Sequence, residues 1–291
     1  MEIKLCSFNC KGFNISKVKH INDILLSCDI LMLQETWLLE SQIGTINQYF
    51  SDFNTYGISG MNEKVLIQGR KYGGCSFLFK KSLASSITYV SLKLNRVCCI
   101  KIRTEFGYIY VFNVYMPCDT LSNEYLDEYN TVLSSISTCL HDHKVDYCLI
   151  AGDLNTDLSR HLSGNTISLN SFIAIENLEF ILPKFHNNVP FTFTSITQSK
   201  SLIDHYIVSQ NLLSHVSDYF TKDSIDNLSD HIPLYCMLSC SLDYTLYANV
   251  PFSRSSPQWE SVTNDQIYNY QVCLNSMLFH FPCLNLFEIV L

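Results

Sequence analysis

Charge is scarce in this chain of 291 residues: 16% are Asp, Glu, Lys or Arg, and 27 acids against 19 bases leave a formal net charge of −8. No basic excess advertises a nucleic-acid partner through the overall field. Contact with an acidic polymer would need local basic positions, with Lys17, Lys19, Arg70, Lys71, Arg96 and Arg160 as candidates, or a divalent ion neutralising carboxylates. Taken singly, each of these six reads as an ordinary solvated charge.

Other absences narrow the field. The 13 cysteines form no Cys-x-x-Cys pair and no regular spacing. Met1-Glu-Ile-Lys-Leu reads as a strand rather than a secretory leader, so reduced, buried thiols in a nuclear or cytoplasmic protein are expected. A zinc site built on Cys98 and Cys99 is disfavoured, since adjacent cysteines rarely both ligate. The apolar C-terminal twenty residues hold Asn275, His280, Pro282, Asn285 and Glu288, which argues against a membrane span. There is no Gly-x-Ser-x-Gly elbow, Walker phosphate loop, His-Glu-x-x-His helix, Gly-x-Gly-x-x-Gly fingerprint or internal repeat.

What is present is 47% hydrophobic residues in strand-sized and helix-sized runs. Residues 2–10 alternate as a strand, Asn14 to Ser27 carries Val18, Ile21, Ile24 and Leu25 at helical spacing, and 29–35 is a buried strand. Such a strand–helix–strand unit, with parallel strands, releases Asn9 and Glu35 at the same sheet edge. Residues 41–72 read as a long surface excursion. Gly74–Lys80, Ile87–Leu94, Val97–Arg103 and Tyr108–Met116 read as an antiparallel meander. A helix over 123–140, a strand at 147–151, a helix around Leu169, Phe172 and Ile173, and strands at Leu202–Val208 and Ile232–Leu238 follow. The pattern predicts two mixed β-sheets packed face to face and flanked by helices over residues 1–238. Residues 239–291 form a linker and partial extension, with Ser253–Pro257 linker-like and Trp259–Leu278 loosely helical.

Several polar residues end these runs. Asp153 and Asn155 share a face on extended backbone, where a carboxylate and an amide suit water activation and oxyanion stabilisation; an Asx turn is the alternative. Glu35 is a hard-cation ligand or a surface residue just past its strand, and Asn9 orients that ligand or simply caps a turn. Asp204 would hold the imidazole of His231 in one tautomer, and Asp230 would add a metal-facing carboxylate. Tyr115 offers a phenol to phosphate, or is a strand-end aromatic before Pro117. His205 faces away from Asp204 and reads as structural. Phosphodiester hydrolysis with a divalent cation uses all these parts.

Six motifs occur in order: Ser7-Phe-Asn9, Gln34-Glu35-Thr-Trp37, Asn113-Val-Tyr115-Met-Pro117, Gly152-Asp153-Leu-Asn155, Leu202-Ile-Asp204-His205 and Ser229-Asp230-His231. Together they resemble the endonuclease/exonuclease/phosphatase superfamily. The resemblance implies an α/β four-layer sandwich of the deoxyribonuclease I-like type and Mg2+-dependent phosphate-ester hydrolysis, with Mn2+ as a substitute. It places Asn9, Glu35 and Asp230 in the metal region, Asp153 as general base or acid, and Asn155 and Tyr115 on the phosphate. His231 meets the scissile phosphate with Asp204 behind it, and Thr192 lies near the substrate. Phe8-Asn-Cys-Lys-Gly12, Tyr72-Gly-Gly-Cys75 and Asn227-Leu-Ser-Asp-His-Ile-Pro233 are most similar to endonuclease domains of LINE-type non-LTR retrotransposons. That implies nicking of double-stranded target DNA to leave a 3′-hydroxyl for reverse transcription, in an element truncated before its reverse transcriptase. Lys11 and Cys118 depart from the abasic-site repair branch, which commonly carries an acid and an Asn there. A phosphatase of the same fold acting on lipid or RNA, and an inactive domesticated remnant, are the rival readings.

Overall fold

The computed structural model describes residues 2–242, except 64, 66–68, 70, 121 and 186–188. The chain begins with β1 (Glu2–Asn9), α1 (Val18–Leu25) and β2 (Ile30–Gln34). The short α2 (Glu40–Ile43) leads to β3 (Phe53–Ile58) and β4 (Cys75–Lys80). A meander of β5 (Ile87–Val90), β6 (Val97–Thr104) and β7 (Gly107–Tyr115) precedes α3 (Asn123–Asp142) and β8 (Tyr147–Asp153). Then come α4 (Gly164–Ile175), β9 (Leu178–Phe180), α5 (Leu182–Phe185), β10 (Phe193–Thr194) and β11 (Lys200–Ser201). The last described elements are β12 (Asp204–Ser209), α6 (Gln210–Leu213), β13 (Val216–Thr221) and β14 (Leu234–Ser239).

Two six-stranded mixed sheets result, with orders β13-β14-β1-β2-β4-β3 and β5-β6-β7-β8-β12-β9. Side-chain alternation explains how they pack. Ile3 and Leu5 of β1, Ile30 and Met32 of β2, Ile109 and Val111 of β7, and Leu149 and Ala151 of β8 all enter one core between the sheets. Their neighbours turn outward. Cys6, Phe8, Leu31 and Leu33 meet Ile21, Ile24 and Leu25 of α1, while Phe112, Val114, Cys148 and Ile150 meet Tyr129, Leu133 and Ile136 of α3. A strand buried on both faces is therefore apolar through most of its length, as β2 is from Ile30 to Leu33. This is the expected sandwich flanked by helices.

Parallel pairing sets where the site lies. β1 runs parallel to β2 with Asn9 opposite Gln34, and β7 runs parallel to β8 with Tyr115 opposite Asp153. Antiparallel β12 starts at the same edge, placing Asp204 opposite Asp153. Gly152 lets this edge close up: a Cβ there would stand 2.0 Å from the Val114 carbonyl oxygen, at a φ of +142°.

Three expectations change. Residues 41–72 are not wholly an excursion, because Phe53–Ile58 pairs with β4 as an edge strand. Its side chains are all only half-buried, so the apolar alternation that marks a strand is weak. Gly74–Lys80 does not join the meander. It pairs with β2 and β3 in the first sheet, and the 3-10 turn Lys81–Ser86 carries the chain across to β5 in the second. The core also runs past Leu238, since Cys240 and Leu242 are buried and Leu242 bridges to Thr104. Cys98 and Cys99 enter opposite cores and share no site. The segments Ser253–Pro257 and Trp259–Leu278 lie outside the described residues. Among the described residues, no helix is long and apolar enough to cross a membrane.

Candidate active site

A chain of hydrogen bonds with one ion-pair contact crosses the sheet edges. His231 Nδ1 and Asp204 Oδ2 are 2.8 Å apart, and His231 Nε2 lies 3.8 Å from Asp153 Oδ2. Asn9 Nδ2 donates to Asp153 Oδ2 at 2.8 Å and to Glu35 Oε1 at 3.1 Å. Trp37 Nε1 donates to Glu35 Oε2 at 3.1 Å. Asp153, Asp204, His231 and Asn9 are buried, and Glu35 is half-buried. Five residues predicted from separate motifs are thus joined.

Burial sets the electrostatics. It pushes the Asp153 carboxyl up to about 7, against the lowering influence of His231 and the donors from Asn9 and Asn155. Burial works against charge on His231 too, but Asp204 and Asp153 outweigh it and raise the imidazole to about 9. Asp153 can therefore exchange a proton near neutrality while His231 holds a positive charge. Burial, then Glu35 and Asp153, push the Tyr115 phenol up, so it stays a hydrogen-bond donor.

Asn155 forms the Asx turn. Its N–H donates to Asp153 Oδ1 at 2.9 Å, and the turn sets it beside Asp153 in a cleft of about 390 Å3. A φ of +47° makes this geometry possible, and the side-chain amide donates to Met116 O at 2.8 Å. Lys11, Glu35, Asp153, Asp230 and His231 line the same cleft. Thr192 does not reach it. This residue is fully buried, and its Oγ1 accepts the Ile203 and Asp204 N–H groups at 3.2 and 3.1 Å, so it positions the start of β12 rather than facing substrate. Asp230, expected beside a metal, has Oδ2 paired with Lys11 Nζ at 2.5 Å.

The proposed phosphate contacts sort by their partners. Lys17 is buried, its ammonium donating to the carbonyls of Cys10 and Lys11, and burial lowers its pKa. Lys19 pairs with Asp226 and Arg96 with Glu128. Lys71 is exposed at the cleft and Arg160 is exposed elsewhere; Arg70 lies outside the described residues. His205 is structural as expected: it is buried, with Nε2 2.8 Å from Thr156 O.

The motifs also held supports that residue types alone did not disclose. Gln34 Nε2 donates to Ser7 Oγ at 3.1 Å and Asn113 Oδ1 at 2.7 Å, and Asn113 Nδ2 reaches the carbonyls of Leu33 and Ser76 at 3.1 and 3.0 Å. This buried network ties the two sheets together near the site. Ser229 Oγ donates to Asn9 O at 2.7 Å, tying the His231 loop to β1. The only available signal was polar residues standing inside otherwise apolar strands.

Asp153, Asp204 and His231 offer ligand atoms within 4.8 Å of one another. Asp204 and His231 are already bonded to each other, so this group better serves proton and charge placement. The Glu35 carboxylate beside it, which lines the cleft and is held by the Asn9 amide, suits a hard cation such as Mg2+ or Mn2+.

Residues 6–231 match the Endonuclease/Exonuclease/phosphatase family. No curated protein matches the chain. Among solved structures, the AP endonuclease LMAP from Leishmania major superposes with a TM-score of 0.67 at 16% identity, covering 81% of this chain and 87% of that one. The APE2 catalytic domain from Xenopus laevis gives 0.65 at 18% identity, covering 82% and 93%. The 3′ phosphatase NExo from Neisseria, bound to product DNA hairpin, gives 0.62 at 14% identity, covering 83% and 100%. At these identities the likeness is one of fold.

Proposed function

Because the chain belongs to the Endonuclease/Exonuclease/phosphatase family, we propose that it is a divalent-metal-dependent phosphodiesterase that nicks double-stranded DNA and leaves a 3′-hydroxyl. The observation that carries this reading is the continuous set Glu35–Asn9–Asp153, with His231–Asp204 against it, of which Glu35, Asp153 and His231 line one open cleft. Asp153 takes a proton from the attacking water at the carboxylate whose pKa burial has brought near neutrality. The charged His231, fixed by Asp204, holds a non-bridging phosphate oxygen, and the Tyr115 phenol and Asn155 amide supply further hydrogen bonds there. Glu35 and Asn9 would hold Mg2+ or Mn2+, whose contribution is Lewis-acid stabilisation of the charge developing on phosphate. Lys71 at the rim is placed for backbone contact. The resemblance of its motifs to those of LINE-type endonucleases supports a role in target-primed reverse transcription.

The test is nicking of supercoiled plasmid by the whole chain, with Mg2+ and with EDTA, alongside Glu35→Ala. Metal-dependent open circles, absent in the variant, are the expected result. Intact plasmid from folded protein, with turnover of a lipid or RNA phosphate instead, would move the assignment to a phosphatase. Inertness toward all three substrates would leave only a domesticated remnant.

A further inference from the structure

Lys11 is a cation among carboxylates, and its position is fixed by its own backbone. The Lys11 N–H donates to Asn9 Oδ1 at 3.0 Å, and its carbonyl accepts from the buried Lys17 ammonium at 2.6 Å. Cys10, Gly12 and Phe13 donate their N–H groups to Gln34, Glu35 and Thr36 carbonyls at 3.0, 2.7 and 2.9 Å, zipping the turn after β1 to the segment after β2. Lys11 sits at a φ of +50°, a left-handed conformation that costs a side chain energy and is kept here by those bonds. The side chain so launched ends 2.5 Å from Asp230 Oδ2, with Lys11 about one third exposed at 38% and Asp230 at 25%.

Asp230 is held from its own side. Its carbonyl accepts the Thr194 N–H at 2.9 Å, and the preceding Ser229 is bonded to Asn9 O. Two anchored backbones thus bring an ammonium to a carboxylate within the cleft that also holds Glu35 and Asp153. With Asp204 and His231 set aside as a neutral ion pair, Glu35, Asp153 and Asp230 bring three carboxylates to the cleft, and the Lys11 ammonium neutralises that of Asp230. A second ion would have to displace Lys11 from Asp230 or sit beside an ammonium, which Coulomb repulsion opposes.

We propose that Lys11 is a built-in cation that takes the place of a second metal ion: it occupies Asp230 and leaves the cleft to one divalent ion at Glu35 and Asn9. The proposal rests on the phosphodiesterase reading and makes Asp230 a partner of Lys11 rather than a metal ligand.

Mn2+ binding to the whole chain, followed by loss of the free-ion electron paramagnetic resonance signal, tests it without turnover. The wild type should take up one equivalent. Asp230→Asn should bind that equivalent within about threefold of wild-type affinity, whereas Glu35→Gln should lose at least tenfold. Lys11→Asp should gain a second equivalent, and Lys11→Arg, which keeps the charge, should stay at one. Circular dichroism melts confirm that each variant is folded. Two equivalents in the wild type, or a tenfold loss in Asp230→Asn, would overturn the proposal while leaving the metal-dependent phosphodiesterase intact. No Mn2+ uptake by folded wild type would sink both.

Discussion

Replacing Asp204 by Asn isolates the charge that holds His231. The amide oxygen can still accept the Nδ1–H now 2.8 Å from Asp204 Oδ2, so shape and hydrogen bond persist while the negative charge goes. Burial then dominates an imidazole that Asp204 and Asp153 had raised to about 9. Its pKa should fall to the ordinary value near 6.5 or below, a loss of about 3 kcal/mol from the imidazolium. The direct assay is an NMR titration of the His231 ring in metal-free protein from pH 5 to 10. A second readout follows from linkage. Because the folded-state pKa is raised, the stabilisation is fully present below about pH 6.5 and is lost as pH rises through about 9. The stability gap between wild type and Asp204→Asn should therefore be widest in acid and close in alkali. Turnover at pH 7.5 should drop about tenfold or more, matching the loss of the charged form. A His231 pKa within half a unit of the wild-type value would refute the reasoning outright.

Asp153→Asn should lose about a hundredfold or more in kcat, yet melt at pH 8 no lower than wild type, because the carboxylate it removes is one that burial opposes. A matching fall in melting temperature would mean that Asp153 is structural. Gly152→Ala should destabilise by about 4 kcal/mol or more, since its Cβ meets the Val114 carbonyl oxygen at 2.0 Å; urea denaturation measures it, and a loss under 1 kcal/mol would contradict the geometry. Buried His20, with neither ring nitrogen hydrogen-bonded, has its pKa lowered by burial, so folding loses stability as pH falls below about 6.5. His20→Leu should accordingly stabilise the fold more at pH 5.5 than at pH 7.5, measured by urea denaturation at each pH. Equal gains at both pH values would rule out that linkage.

The linear order of residues determined the strand ends and the chemistry placed on them. Apolar runs such as Ile30–Leu33 must be buried on both faces, and the chain just past the end of such a strand, as at Glu35, emerges at a sheet edge. Parallel pairing then brings Asn9 beside Glu35 and Tyr115 beside Asp153, so much of the site was legible from spacing alone. The half-buried strand Phe53–Ile58 was not, because an edge strand carries little alternation to read. Nor could spacing choose a sheet for β4, since both sheets offer strands of the same composition and only packing across the 3-10 turn decides. Tertiary structure alone turned Thr192 inward to hold Asp204 and brought Lys11 to Asp230, 219 positions away in the chain. A side chain's partner depends on which loops converge, and that convergence is a property of the folded core rather than of any local pattern.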